Sequence, residues 1–357
     1  MFSFGRKKPP LLGIDISSTA IKLVELARTG SYSTGMYRVQ AFAHEPLPPA
    51  IVTEKKIADV EALGNVIRKA VTRSRSKAKH AAVAVAGSAV ITKTLALSAA
   101  LSDAELQAQI QIEADQYIPY PLEEVNLDFD ILGPSAAGND LVDVLLAATR
   151  RENVDDRVAA LDVAGLTAEI VDIETYAMES ACALQLTQGD QTLGEKIIAV
   201  ADVGATTTTL HMLCEGKIVY TREQNFGGNQ LIEEIQRRYS LSRDDALLGL
   251  ERGGLPANTE TEVIGPFKEA LAQQVSRALQ FFYSASSYGR TDKLIIAGGA
   301  ASIPQLAELI QQRLGFPVQI ANPFEEMATA SGIDRLALER VAPAMMIAVG
   351  LALRRFN

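Results

Sequence analysis

One short pattern is written twice in this chain: an aspartate, a branched apolar residue, a serine or glycine, a small residue and a threonine. The first copy is Asp15-Ile16-Ser17-Ser18-Thr19, inside LLGIDISSTAIKLVEL, and the second is Asp202-Val203-Gly204-Ala205-Thr206, inside IIAVADVGATTTTLHML. An apolar run enters and leaves each turn, so each copy predicts a β-hairpin with a carboxylate at the end of its first strand. Small residues in the turn let backbone N–H groups approach a phosphate chain, and neighbouring hydroxyls add donors. Two carboxylates facing the same phosphates would hold a hydrated Mg2+, a cation that keeps several of its waters. A single Asp-containing turn is ordinary. Two in matching strand contexts predict a duplicated domain pair that clamps a nucleotide.

A chain of 357 residues has room for two or three domains, each with its own core. The net charge of −9 argues against a nucleic-acid binder, which shows a basic excess or stripe. The basic run from Arg73 to Lys79 follows a helical pattern and reads as a solvated helix end and loop. Cys182 and Cys214 lie among apolar or small neighbours, as reduced thiols do, and His44, His80 and His211 lack ligand spacing. Met1 to Pro10 carries basic residues without a following apolar stretch, so it is not a signal peptide. The apolar stretch Ala342 to Leu353 is interrupted by Pro343 and Gly350 and falls short of the roughly 20 residues of a spanning helix. These signs predict a cytoplasmic protein that reaches a membrane only through a partner.

Along the chain, Tyr37 to His44 predicts a third strand after the first hairpin. Ile57, Val60, Leu63, Ile67 and Val71 recur at helical spacing, and Ala81 to Ala86 is a short buried strand ended by Gly87. Ser102 and Glu105 form a capping box for a helix that Ile118-Pro119-Tyr120-Pro121 stops near Tyr117. Val125 to Leu132 and Leu141 to Ala148 read as paired strands, followed by a helix from Glu152 to Ala164 and a strand from Ala168 to Ile173. The block from Gly87 to Ile173 thus reads as an inserted α+β module. Further on come a helix from Thr175 to Leu186, the second hairpin, and a helix after Phe226-Gly227-Gly228-Asn229. A long amphipathic helix spans Phe267 to Tyr288, and a buried strand from Lys293 to Ala297 is broken by Gly298-Gly299-Ala300-Ala301. Pro304 is placed in the first turn of the next helix, Pro317 to Ile320 is the last strand, and a helix covers Ala342 to Arg354.

In this order the pieces resemble the actin-like ATPase superfamily, an α/β, ribonuclease H-like duplicated fold. The inserted module sits where the division protein FtsA carries its own. Within the superfamily, GIDISSTAIKLVEL, AVAVAGSAVITKT and IEADQYIPYPLEEVNLDF are similar to the PilM family, cytoplasmic actin-like components of the type IV pilus assembly platform. The resemblance covers Leu11 to Arg354. It implies a first domain in residues 1–86, the FtsA-like module in 87–173 and a connecting helix region in 174–197. It also implies a second domain in 198–330 and C-terminal helices in 331–357 that return to the first domain.

It further implies ATP or ADP with Mg2+ as the ligand. Asp15, Ser17, Ser18 and Thr19 match the first phosphate loop, and Lys22 is either a phosphate contact or a solvent-facing strand lysine. Asp202, Gly204, Ala205, Thr206 and Thr207 match the second phosphate loop. Gly227 and Gly228, with Glu233 or Glu234, fall where relatives contact ribose and base, and Gly298, Gly299 and Ala300 match the adenosine motif. Asp15 and Asp202 would hold Mg2+ through water. Ser17 stands where many relatives have glycine, and its hydroxyl is available as a donor. Glu174 aligns with the residue that positions the attacking water, although a carboxylate at a helix N-terminus is equally accounted for by the helix dipole.

The function implied is an ATP-binding scaffold of pilus assembly with slow or no hydrolysis of its own. Its implied partner is the cytoplasmic N-terminal tail of PilN, with other platform proteins and the pilus motor ATPases as further partners. Tyr117, Pro119, Tyr120 and Pro121 are the candidate contacts for that tail; ending a helix and packing on the module's own sheet is their alternative role. Two other readings stay open. An FtsA-like division protein would carry an amphipathic anchor beyond a linker, which is not expected after Arg354-Arg355-Phe356-Asn357. A small-molecule kinase of the sugar-kinase branch would need a carboxylate base beside a sugar pocket, and no segment announces one.

Overall fold

The computed structural model describes residues 9–29, 36–187 and 196–356. The first domain opens with strands β1 (Leu11–Ile16), β2 (Ala20–Arg28) and β3 (Tyr37–Pro46), then a small hairpin of β4 (Val52–Thr53) and β5 (Lys56–Ile57). Helix α1 (Val60–Ser74) and strand β6 (His80–Val85) follow. Strand β7 (Val90–Ser98), helix α2 (Asp103–Tyr117) and strands β8 (Val125–Pro134) and β9 (Leu141–Arg150) make the inserted module. Helix α3 (Arg151–Ala164), strand β10 (Thr167–Ile173) and helix α4 (Glu174–Thr187) return the chain to the first domain. The second domain contains β11 (Ile197–Val203), β12 (Thr208–Cys214), β13 (Lys217–Gln224), α5 (Gly228–Tyr239), α6 (Arg243–Arg252), α7 (Gly265–Ala285), β14 (Lys293–Ala297), α8 (Leu306–Leu314) and β15 (Val318–Ile320). The last elements are β16 (Ala328–Thr329), α9 (Arg335–Val341) and α10 (Met346–Leu353).

The two large sheets repeat one topology. The first runs β10-β6-β1-β2-β3-β16 and the second β13-β12-β11-β14-β15. In each, the first three strands form an antiparallel meander, and the fourth and fifth add in parallel on the far side of the first. Central strands buried on both faces read as continuous apolar runs, as β1 does with all six residues buried. That burial leaves Asp15 as a costly exception within its strand.

The layers alternate helix and sheet. Helices α1 and α3 cover one face of the first sheet, where Leu63, Ile67, Ala160 and Leu161 join Ile14, Leu23 and Val83. Helix α1 starts at an Asp59 cap that accepts from the Ala62 N–H at 2.9 Å. Helices α4 and α10 lie between the sheets, where Met178, Cys182, Met346 and Val349 touch Val24 and Val39 on one side and Val200 and Ile295 on the other. The outer face of the second sheet packs on α5, α7 and α8. Helix α10 sits close to its neighbours because two glycines permit it. A Cβ on Gly350 would meet the Ala177 carbonyl oxygen at 1.8 Å, and one on Gly13 would meet that of Ala348 at 2.1 Å. The helical run Arg335–Phe356 is long and apolar enough, by length and composition, to cross a membrane. Within this fold its α10 portion is the buried partner of β1 and α4.

The module is shorter than the sequence pattern indicated. Its sheet, β7-β9-β8, and its own core with α2 end at Arg150. Helix α3 packs on α1, and β10 pairs in parallel with β6, so residues up to Ile173 belong to the first domain instead. The parallel pairing of β10 joins segments far apart in sequence, which local periodicity does not reveal. Two smaller differences are local. Ile57 lies in β5 rather than in the helix, and Pro304 precedes the αL residue Gln305 that opens α8.

Candidate functional site: a charged cleft between duplicated hairpins

Asp15 and Lys22 face each other across the β1–β2 hairpin, and the ammonium donates to Asp15 Oδ2 at 2.7 Å. Asp15 is 4% exposed. Burial pulls the Lys22 ammonium downward, but the charges of Asp15, Asp202 and Glu174 more than reverse this and hold its pKa above the ordinary lysine value. Lys22 is therefore no solvent-facing strand lysine. In the turn, the Ser17 hydroxyl donates to the Ala20 carbonyl at 2.9 Å and accepts from the Ala20 N–H at 3.2 Å. That closes the turn and commits the hydroxyl to the backbone. Ser18 is half-buried and Thr19 is exposed.

The second hairpin is tied to its surroundings through backbone. The Gly204 N–H donates to the Thr207 carbonyl at 2.9 Å, while the Gly204 and Ala205 carbonyls accept from the Gly228 and Asn229 N–H groups at 2.9 and 2.8 Å. Thr206 is exposed and Thr207 half-buried. Gly227 lies so close beneath the turn that a Cβ there would meet Ala205 and the Gly204 carbonyl oxygen at 2.7 Å. Gly298 adopts a left-handed φ of 88°, and a Cβ there would meet the Val203 carbonyl oxygen at 2.3 Å and Asp202 Oδ1 at 2.6 Å. Gly299 is open on its Cβ side and Ala300 is buried near Gly228. The Gly227-Gly228 turn thus packs on the turn of the second hairpin, and the Gly298 turn packs on Asp202 at its base. Of the two glutamates on α5, Glu233 is exposed, and Glu234 is paired with Arg237 at 2.6 Å.

Asp202 differs from Asp15 in its neighbours. Its cross-strand partner is Thr209, and among the described residues it has no ion-pair partner within 4 Å. Burial pushes its carboxyl above the usual range; the Lys22 and Lys55 charges offset part of this, and Asp15 adds to it. Glu174, at the start of α4, has its pKa pushed up to about 7 by burial and by the Asp15 and Asp202 charges, against the opposing pull of Lys55 and Arg157.

Sequence reasoning missed three further groups. Lys55, at the tip of the β4–β5 hairpin, pairs with Glu223 of β13 in the second domain, and its Nζ lies 3.9 Å from Glu174 Oε2. Arg157 is buried in α3 and donates to the Ala84 and Asn153 carbonyls at 2.7 and 2.6 Å, placing its charge behind Glu174. None of these carries a motif; their convergence is purely tertiary. Among the described residues no three acidic, histidine or cysteine side chains converge as a direct metal-ligand set. A cation held by phosphate oxygens and water, with Asp15 and Asp202 behind the water, fits that arrangement and the habit of Mg2+.

In the Tyr-Ile-Pro-Tyr-Pro stretch, Ile118 is buried and Tyr120 packs on the module core with the Arg150 guanidinium 4.2 Å from its ring centre. Tyr117 is exposed with the Lys93 ammonium 5.1 Å from its ring centre, and Pro119 and Pro121 are exposed.

Two duplicated β-meander sheets, close-packed glycine turns beside the second hairpin and an insertion after the fourth strand of the first sheet define an actin-like ATPase fold. A family model described as type IV pilus assembly protein PilM matches residues 13–356, and the chain belongs to that family. It is similar, at 27% identity and a TM-score of 0.80 over 97% of this chain and 98% of the other, to a structure described as the PilM-PilN type IV pilus biogenesis complex. The fold is shared with the ethanolamine utilization protein EutJ from Carboxydothermus hydrogenoformans, at 18% identity and a TM-score of 0.57 over 97% of this chain and 90% of that one. MreB5 of Spiroplasma citri, solved with ADP, matches at 11% identity and a TM-score of 0.50 over 98% of this chain and 99% of that one.

Proposed function

We infer that this protein is an ATP-binding scaffold of type IV pilus assembly that docks the cytoplasmic tail of PilN and is brought to the inner membrane by it. The observation that carries this reading is the family match across the whole fold, supported by similarity to a relative described in complex with PilN. Nucleotide binding is supported by the two hairpins that place Asp15 and Asp202 in one electrostatic cluster with Lys22. Mg2+ with ATP or ADP would lie between them, the purine side toward Gly298 and the phosphates toward the hairpin turns. Glu174 would orient water in its ionised form, and Lys55 and Arg157 favour that form. With one such group and no established arginine finger, turnover without a partner is slow.

Tyr117 is the exposed aromatic of the candidate partner surface, whereas Tyr120 holds the module together. The FtsA-like and sugar-kinase readings are not favoured by the family match. Titrating a synthetic PilN N-terminal peptide into the protein, with and without Mg-ATP, tests the scaffold reading. Saturable binding that Tyr117→Ala weakens about tenfold is expected for an exposed aromatic anchor. No binding in either nucleotide condition would refute the partner assignment.

A further inference from the structure

The β4–β5 hairpin is out of proportion to its two-residue strands. Val52 pairs with Ile57 and Thr53 with Lys56, leaving Glu54 and Lys55 as a two-residue turn. Both turn residues have left-handed backbone, with φ of 50° and 64°. A tight turn of this kind normally uses Asn-Gly, because a Cβ makes that conformation unfavourable. Here two long charged residues hold it, and such local strain at a cleft points to a positional requirement. The base of the hairpin is fixed in the first domain: Ile51 and Val52 are buried in its core, and the Ala58 N–H donates to the Ile51 carbonyl at 2.8 Å. Its tip crosses to the second domain.

There the Lys55 ammonium has three acidic neighbours of different origin. Glu223 on β13 is its direct partner, Glu174 on α4 lies 3.9 Å away, and Asp202 is within electrostatic reach. Glu174 and Asp202 also act on Lys22, so the two lysines approach the same pair of carboxylates. Lys22 is committed to Asp15 by a 2.7 Å bond inside its own hairpin. Among the described residues, the ion pairs of Lys55 are with Glu223 in the second domain and, at 3.9 Å, with Glu174. The pairing of Lys55 with Glu223 joins the hairpin tip to β13, which also bonds to Glu179 of α4 through Lys217 and the Ile218 N–H, and the lysine side chain is about one-quarter exposed.

We propose that Lys55 is a cross-cleft phosphate sensor, exchanging Glu223 for the terminal phosphate of a bound nucleoside triphosphate. This rests on the nucleotide reading of the cleft and names the group that would distinguish ATP from ADP. A terminal phosphate carries more charge than a lone carboxylate and offers several acceptor oxygens, so it competes effectively for one ammonium. The exchange releases Glu223, and with it β13 of the second domain, from the first-domain hairpin. Triphosphate and diphosphate would then favour different attachments between the domains.

The test is calorimetric titration of Mg-ATP and Mg-ADP into the full-length wild type and the Lys55→Asn, Lys55→Arg and Glu223→Gln variants. Asparagine tolerates the left-handed turn, so Lys55→Asn removes the charge while retaining a compatible backbone. Lys55→Asn should lose about tenfold in ATP affinity and less than about twofold in ADP affinity, as expected for one charge-assisted bond. Lys55→Arg should recover most of the ATP affinity. Glu223→Gln frees the ammonium and should tighten ATP several-fold more than ADP. Equal losses for ATP and ADP in Lys55→Asn, or an unchanged ATP-to-ADP ratio in Glu223→Gln, would overturn the sensor. If the wild type bound neither nucleotide, the nucleotide reading itself would fail.

Discussion

The two Asp-bearing hairpins share a topology and diverge in chemistry. Opposite Asp15 the first hairpin places Lys22; opposite Asp202 the second places Thr209. One carboxylate therefore comes with a counterion built into its own hairpin, and the other is left half-buried with only distant charges. The first turn is closed by the Ser17 side chain, the second by backbone bonds to the start of α5. A duplicated scaffold has thus kept the positions of its acids while assigning them different partners. The first hairpin supplies a preformed ion pair, and the second supplies an acid whose charge a bound cation would stabilise.

The largest effect should come from crowding the second hairpin, because its walls are backbone. Gly298→Ala combines a left-handed φ with a Cβ 2.3 Å from a carbonyl oxygen, so a loss of about 4 kcal/mol in stability is expected from denaturant unfolding. Gly299→Ala has open space and should stay within about 0.5 kcal/mol. Similar behaviour of the two variants would remove the argument that the glycine turn is shaped around Asp202.

The acids themselves should then part company. Asp15→Asn leaves Lys22 buried without its counterion and should cost about 3 kcal/mol without nucleotide. Asp202→Asn removes a carboxylate held in an unfavourable environment and should leave stability unchanged or raise it by up to about 1 kcal/mol. Equal destabilisation by the two substitutions would erase the asymmetry between the hairpins.

A pH series sharpens the same contrast. Glu174 titrates near 7 in the folded protein and near 4.5 when unfolded, so between those values the folded state holds the extra proton. Stability should therefore fall as pH rises through that window, and Glu174→Gln should flatten the decline. Any single-turnover ATP hydrolysis should rise with pH through about 7 as Glu174 ionises. The smallest effect belongs to Ser17→Ala, expected to cost about 1 kcal/mol by opening the first turn while changing ATP affinity less than about twofold.

Both hairpins were legible in the sequence because each is local: strand, tight turn and strand lie within a few residues of one another. The Gly227-Gly228 and Gly298-Gly299 turns were visible for the same reason. The extent of the module was not, since β10 reveals its allegiance only by pairing with β6. Strand β7 also went unread; its apolar residues are mostly half-buried or exposed, and Thr92, Lys93 and Thr94 interrupt them. Within the site, Lys22 was legible as a neighbour of the first turn, but its ion pair depends on cross-strand register. Lys55 sits in a run of charged residues that resembles any solvated loop, and Glu223 sits on an alternating strand. Only the folding of two domains toward each other makes them partners.

Two hairpins of different character would together hold one metal-bound nucleotide. The most direct test is a calorimetric titration of ATP into wild-type protein and Asp202→Asn, each with Mg2+ and with the metal chelated. Wild-type affinity should fall at least about tenfold when Mg2+ is removed, while Asp202→Asn should bind weakly and respond little to the metal. Equal ATP affinity in both proteins, with or without Mg2+, would rule out a metal-bound nucleotide held between Asp15 and Asp202.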